Sequence, residues 1–158
     1  MRRFMLLAAL LCLFSLPAAA QRVEIFGGAQ YTHLNPSFNG VGWNAAVTGN
    51  FKHLLGLTAD FSGAYGIRMH ANTYTAGPAI SFRLPIVQPY VHALFGGMTL
   101  SDGASNTAFA MMFGGGLDVG LRKGIGLRIV QVDWISTRFE SNTQNGNFRV
   151  SAGIVLKF

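Results

Sequence analysis

From Arg22 onward apolar residues fall at every second position for stretches of ten or so, and turn residues interrupt the alternation about every ten to fifteen positions. No stretch sustains the roughly 3.6-residue period of an amphipathic helix. The spacing predicts an all-β chain of eight strands, over 22–33, 41–51, 55–66, 72–83, 88–100, 106–121, 125–138 and 147–158. In the second strand Trp43, Ala45, Val47, Gly49 and Phe51 share one face, and Asn44, Ala46, Thr48 and Asn50 the other. In the third, Leu55, Leu57, Ala59, Phe61 and Tyr65 oppose Thr58, Asp60 and Ser62. The last strand sets Phe148, Val150, Ala152, Ile154, Leu156 and Phe158 against Asn147, Arg149, Ser151, Gly153 and Lys157. Such a face can coat a soluble core or meet lipid.

Three features favour lipid. The strands run longer than the ~5–6 residues usual in soluble sheets and match the ~9–11 that a tilted membrane-crossing strand needs. Aromatic residues gather at strand ends on the apolar face: Tyr31, Trp43, Tyr65, Tyr74, Phe109 and Phe148 at the upper edge, with Phe51, Phe82 and Phe158 at the lower. Val, Ile, Leu, Ala and Gly lie between them, as in the paired girdles of outer-membrane barrels. The upper connections, 34–40, 67–71, 101–105 and 139–146, are expected to be longer than the lower ones at 52–54, 84–87 and 122–124, which places both termini in the periplasm. A sheet in lipid must pair every backbone group internally, so the last strand is expected to close on the first.

The N-terminus agrees with export. Arg2 and Arg3 precede an apolar run from Phe4 to Leu16, then Pro17 and three alanines, the form of a secretory signal cleaved after Ala20. The expected organisation is a signal peptide at 1–20 and one barrel domain at 21–158. Cys12 lies inside the signal, so the mature chain has no disulfide, thiolate metal site or cysteine nucleophile. Removing Arg2 and Arg3 leaves ten basic residues against six acidic, a net charge of +4. The basic residues are scattered singly apart from Arg122-Lys123, which argues against nucleic acid as a partner.

An eight-stranded barrel fills its own interior, so a general diffusion pore is not expected. The inner face collects Glu24, Asp60, Arg83, Asp118, Arg128, Arg149 and Lys157, expected to pair as a structural network in a packed polar lumen, because buried charges persist only when paired. One strand departs from alternation: Gln131 and Asp133 fall on the apolar face unless a β-bulge near Ile129-Val130 returns them to the lumen and puts Val132 and Trp134 outside. A further expectation concerns "RKG" at 122–124. A three-residue hairpin loop with a left-handed Gly124 sets Leu121 opposite Ile125, Val119 opposite Leu127 and Asp118 opposite Arg128, which predicts a cross-strand ion pair.

Catalysis finds little support. A lipid-modifying enzyme, the first alternative, needs Ser, His and a carboxylate together at one membrane face. None of His33, His53, His70 and His92 has a serine two residues away, and His92, beside Ala79 with Ser81 and Tyr90 nearby, is the least implausible base. His33 with His70 is a metal pair lacking a third ligand. The double and triple glycines have no following helix and are not phosphate loops. No catalytic residue, cofactor or metal is assigned. A soluble periplasmic ligand-binding barrel is the second alternative, disfavoured because its aromatics belong in a core.

The segments "VEIFGGAQYTHL", "GWNAAVTGNF", "LGLTADFSGAYG", "PYVHALFGG", "AFAMMFGGGLDVGL", "GLRIVQVDWISTRF" and "NFRVSAGIVLKF" together resemble the small outer-membrane β-barrel family, similar to the OmpA transmembrane domain and the opacity-type proteins. The resemblance implies an up-and-down barrel in the cell outer membrane, with a structural or surface-interaction role, outer-membrane lipid as its surroundings and a monomeric state. The C-terminal strand ending in Phe158 also resembles the signal read by the outer-membrane assembly machinery. The chain departs from full-length OmpA in carrying no peptidoglycan-binding domain after that strand, so tethering to the cell wall is not implied.

Overall fold

The structure, a computed structural model, describes residues 22–35, 38–51, 54–67, 69–101, 105–139 and 142–158. The expected signal peptide with Cys12, and His53, lie outside the described residues. The elements are β1 (Arg22–Leu34), β2 (Phe38–Asn50), β3 (Leu55–Tyr65), β4 (His70–Ser81), β5 (Val87–Ser101), β6 (Ser105–Arg122), β7 (Ile125–Phe139) and β8 (Asn142–Lys157). They form one closed barrel in sequence order, every neighbour antiparallel, with β8 zipped to β1.

The stagger of the barrel can be read from its ladder. A line of paired residues leaves β1 at Thr32 and passes through Arg149, Asp133, Gly114, His92, Ala79, Gly56 and Asn50. It returns to β1 at Arg22, ten residues lower. A shear of ten over eight strands tilts them by about 40°. Residues paired across the ladder therefore sit at different heights, and each step from β1 toward β8 moves down the wall.

The strands extend further upward than the alternation suggests. β2 begins at Phe38 rather than 41, and β8 at Asn142 rather than 147. Consequently the upper connections, 35–37, 66–69, 102–104 and 140–141, are no longer than the lower ones at 51–54, 82–86 and 123–124, contrary to the expected asymmetry. Polar residues such as Asn142 and Thr143 still join the ladder, because it is made by the backbone and needs no apolar face above the band. At the top of β1 and β2, Leu34 and Phe38 turn inward and are buried.

The bulge lies in β7. Leu117 pairs with Val130 and Asp118 with Arg128, so Ile129 is the extra residue. It restores the inward phase: Gln131 and Asp133 are 0 % exposed, whereas Val132 and Trp134 are 49 % and 58 % exposed. The lower end of the same hairpin differs from expectation. Arg122, not Leu121, pairs with Ile125, and Leu121 takes up the register shift beside a Lys123-Gly124 turn with Gly124 at φ 82°. One residue is still absorbed before the ladder resumes, so Val119 faces Leu127 and Asp118 faces Arg128.

Candidate functional site

The lumen is divided by chemistry. Its upper half holds an apolar cluster, in which Leu34, Phe38, Leu94, Met98, Met112 and Ile135 pack with Ala64, Ala71 and Ala110, beside the buried polar Gln30, Thr32, Thr73, Thr137 and Asn147. Large side chains from β5, β6 and β7 fill the space left by alanines on β3, β4 and β6, as the taper of a small barrel requires. The expectation of a polar lumen thus holds outside this plug. Leu94, Met98, Met112 and Ile135 stand on the inward phase of their strands, and that phase was the signal for them.

Beside and beneath the plug the inward charges meet. At the lower mouth Gln88 Nε2 donates to Glu24 Oε1 at 3.2 Å, Lys157 Nζ donates to Gln88 Oε1 at 2.6 Å, and Arg83 lies 3.7 Å from Glu24. One level up, Arg128 grips Asp118 with two parallel bonds of 2.8 and 3.1 Å. Its guanidinium lies over the rings of Phe26 and Tyr90, with centroids 4.2 and 4.3 Å away, so two aromatic rings cover it as well as the Asp118 carboxylate. Arg128 and the Tyr90 hydroxyl both donate to Gln131 Oε1, at 2.7 and 2.8 Å. Gln131 Nε2 then donates to Asp133 at 2.7 Å.

Asp133 is the junction. It also accepts from Arg149 Nε at 2.8 Å and from His92 Nε2 at 2.6 Å. Arg149, 1 % exposed, reaches on to both oxygens of Asp60 at 2.7 and 3.0 Å and to the Ser62 hydroxyl at 3.1 Å. Asn44 completes the chain by donating to Asp60 at 2.9 Å. A continuous hydrogen-bonded path therefore runs from Asp118 to Asn44, crossing the lumen from β6 to β2. Gly114 and Gly116 make room for it. A Cβ at the first would fall 2.1 Å from Asp133 Oδ1, and at the second 2.6 Å from the Tyr90 hydroxyl.

Glu24, Asp60, Asp118, Asp133, Arg83, Arg128, Arg149 and Lys157 all face this lumen, four carboxylates against four cations. Gln88, Tyr90, Gln131, Asn44, Ser62 and the Phe26 platform join them, and only their inward phase distinguishes these residues in the sequence. The arrangement can hold charge at low cost, but it offers little room for a substrate. The cavity against Ser81, Tyr90, His92 and Thr58 is about 10 Å³, at most the space of one water. His92 pairs on the ladder with Ala79, and Ser81 with Tyr90, while the imidazole Nε2 is committed to Asp133. Among the described residues no three His, Cys, Asp or Glu side chains come together as a metal cluster. His33 stacks on Phe148 and donates to Asn39, and His70, three strands away from β1, meets the edge of Tyr65.

The outer wall is apolar from rim to rim. Tyr31, Trp43, Tyr65, Tyr74, Phe109 and Phe148 are exposed at the upper edge, and Phe51, Phe82 and Phe158 at the lower. Phe61, Phe95, Phe113 and Trp134 are exposed too, although their strand positions suggest the middle of the wall. The ladder sets them just below the rim: Phe61 lies one step below Tyr74, Trp134 one step below Phe148, and Phe113 one step below Trp134. They widen the upper girdle. Ile25, Val47, Leu57, Ile80, Val91, Leu127 and Ile154 occupy the band below it.

Neither a protein-family model nor a curated protein sequence matches the chain. Solved structures do. Neisserial surface protein A superposes with a TM-score of 0.64 at 12 % identity, covering 87 % of this chain and 97 % of its own. The N-terminal β-barrel domain of Pseudomonas aeruginosa OprF gives 0.64 at 14 %, with 87 % and 97 % covered. The outer membrane enzyme PagL gives 0.52 at 16 %, with 85 % and 98 % covered. The closed ladder, the filled lumen and these superpositions agree that the chain has the fold of the small eight-stranded outer-membrane β-barrels.

Proposed function

We propose that the protein is an integral barrel of the bacterial outer membrane that does not conduct, with a structural or surface-interaction role. One observation carries this reading: the partition of the side chains is inside-out. Trp43, Phe61, Leu57, Val132, Trp134 and Ile154 are exposed on the wall, whereas Asp60, Asp118, Asp133 and Arg149 are buried within it. In water such a wall would be a far larger apolar patch than soluble monomers expose, and in lipid it is simply solvated. A soluble ligand-binding barrel would have the opposite arrangement. The enzyme alternative gains nothing from the lumen, since His92 is walled off from lipid.

The lower end, with Arg22 and Phe158 at the barrel's edge, is assigned to the periplasm by likeness to the fold's other members, and the barrel acts as a monomer. Closure by β8 on β1 is consistent with insertion by the assembly machinery through the last strand. Fractionation tests the location: the mature chain should sediment with outer membranes and migrate faster unheated than boiled on a semi-native gel. Recovery as a soluble periplasmic protein would overturn the reading. In planar bilayers the purified barrel should give no stable conductance steps.

A further inference from the structure

At the upper rim the wall is not evenly filled. Tyr31 on β1, Val41 on β2 and Tyr65 on β3 are neighbours on the ladder and all point outward. Between the two tyrosines, over Val41, Gly40, Gly66 and Ile67, lies an open groove of about 410 Å³. That volume falls in the range of small-molecule sites, ~300–1,000 Å³. Both of its walls are braced. The Tyr31 hydroxyl donates to Asn39 Oδ1 at 2.8 Å, and its ring packs on Phe148 at 6.3 Å. Across the groove Trp43 Nε1 donates to the Tyr65 hydroxyl at 3.4 Å, and His70 meets the Tyr65 ring edge at 5.3 Å.

The residues that line this groove carry no charge. Val41 is 65 % exposed and Ile67 fully so, which leaves apolar surface unused in a preformed slot. Below it the outward faces of β1, β2 and β3 run past Trp43 and Phe61 to Ile25, Val47 and Leu57, so the slot is continuous with the apolar wall. We propose that it seats one acyl chain of a membrane lipid in the leaflet around the upper girdle, an inference that rests on the membrane reading above. A barrel wall is convex, and a chain lying along it keeps much of its surface against other lipids. A slot with aromatic walls covers the chain on three sides and restricts its exchange. The Tyr65 hydroxyl accepts from Trp43 and retains its own proton, which it can donate to the ester carbonyl at the head of the chain.

Native mass spectrometry provides the test. The barrel is refolded into phosphatidylcholine vesicles, its insertion is checked by the gel shift, and it is extracted in mild detergent. Most of the wild-type barrels should retain one lipid mass. Val41→Trp fills the slot and should lower the ratio of lipid-bound to lipid-free barrel at least about tenfold, equivalent to the loss of ~1.4 kcal/mol. Val132→Trp, an equal enlargement on the far wall, should keep it. Tyr65→Ala, which removes one wall, should act like Val41→Trp and serves if that variant does not insert. Inserted wild type without retained lipid, or retention at the wild-type level in both groove variants, overturns the proposal, as does a dimer mass that disappears with Val41→Trp. Failure of the wild type to insert overturns the membrane reading instead.

Discussion

At the scale of single residues the interior is governed by the cost of burying charge. Asp118 and Arg128 hold each other with two bonds and lie almost wholly out of water. Removing either side strands the other, at about 3–5 kcal/mol if the site stays dry and less if water follows from the lower mouth. Asp118→Asn and Arg128→Gln should each lower the urea midpoint in vesicles, and the double variant should lose markedly less than their sum. Additive losses would mean that the pair does not interact. Arg149 is more exposed to such a change, because it alone bridges Asp60 and Asp133. Arg149→Leu leaves two carboxylates facing each other, and its loss should exceed that of Arg128→Gln in the same titration. His92→Gln, which can still donate to Asp133, should be tolerated far better than His92→Leu.

At the scale of the strand, one residue decides the phase of β7. With Ile129 removed, either Gln131 and Asp133 or Leu127 and Arg128 must exchange faces, since side chains alternate with a period of two. Deletion of Ile129 should therefore abolish the gel shift, whereas Ile129→Val should preserve it. This bulge is legible in the sequence because Gln131 and Asp133 could not be left on an apolar wall. The Asp118–Arg128 register follows from the same requirement, that both charges share a face. Other features are not legible in this way. Strand length above the band is set by backbone pairing, to which Asn142 and Thr143 contribute as well as valine would, so the upper hairpins run further than their side chains suggest. The heights of Phe61 and Trp134 depend on shear, a property of the closed ladder rather than of any one strand. The division of the lumen into plug and network was present in the inward phase of β5 and β6, but Leu94, Met98 and Met112 reveal it only when placed at a common level.

For the molecule as a whole, the ion pairs are sequestered from solvent, with the mouth group of Glu24, Arg83 and Lys157 the least so. Salt screens exposed pairs within a Debye length of about 10 Å at 0.1 M and reaches buried ones much less. The urea midpoint should accordingly change little between low and high sodium chloride, and whatever change occurs should vanish in Glu24→Gln. The plug of Leu34, Phe38, Leu94, Met98, Met112 and Ile135 has a different outcome. Placed in an outer membrane, a stave cylinder stoppered with hydrocarbon adds wall without adding a leak. On the non-conducting reading proposed above, its abundance is uncoupled from permeability: a cell could crowd its surface with copies and remain as impermeant to small antibiotics and dyes as before. Dye uptake measured across graded expression should stay flat, and a slope would show that the stopper yields.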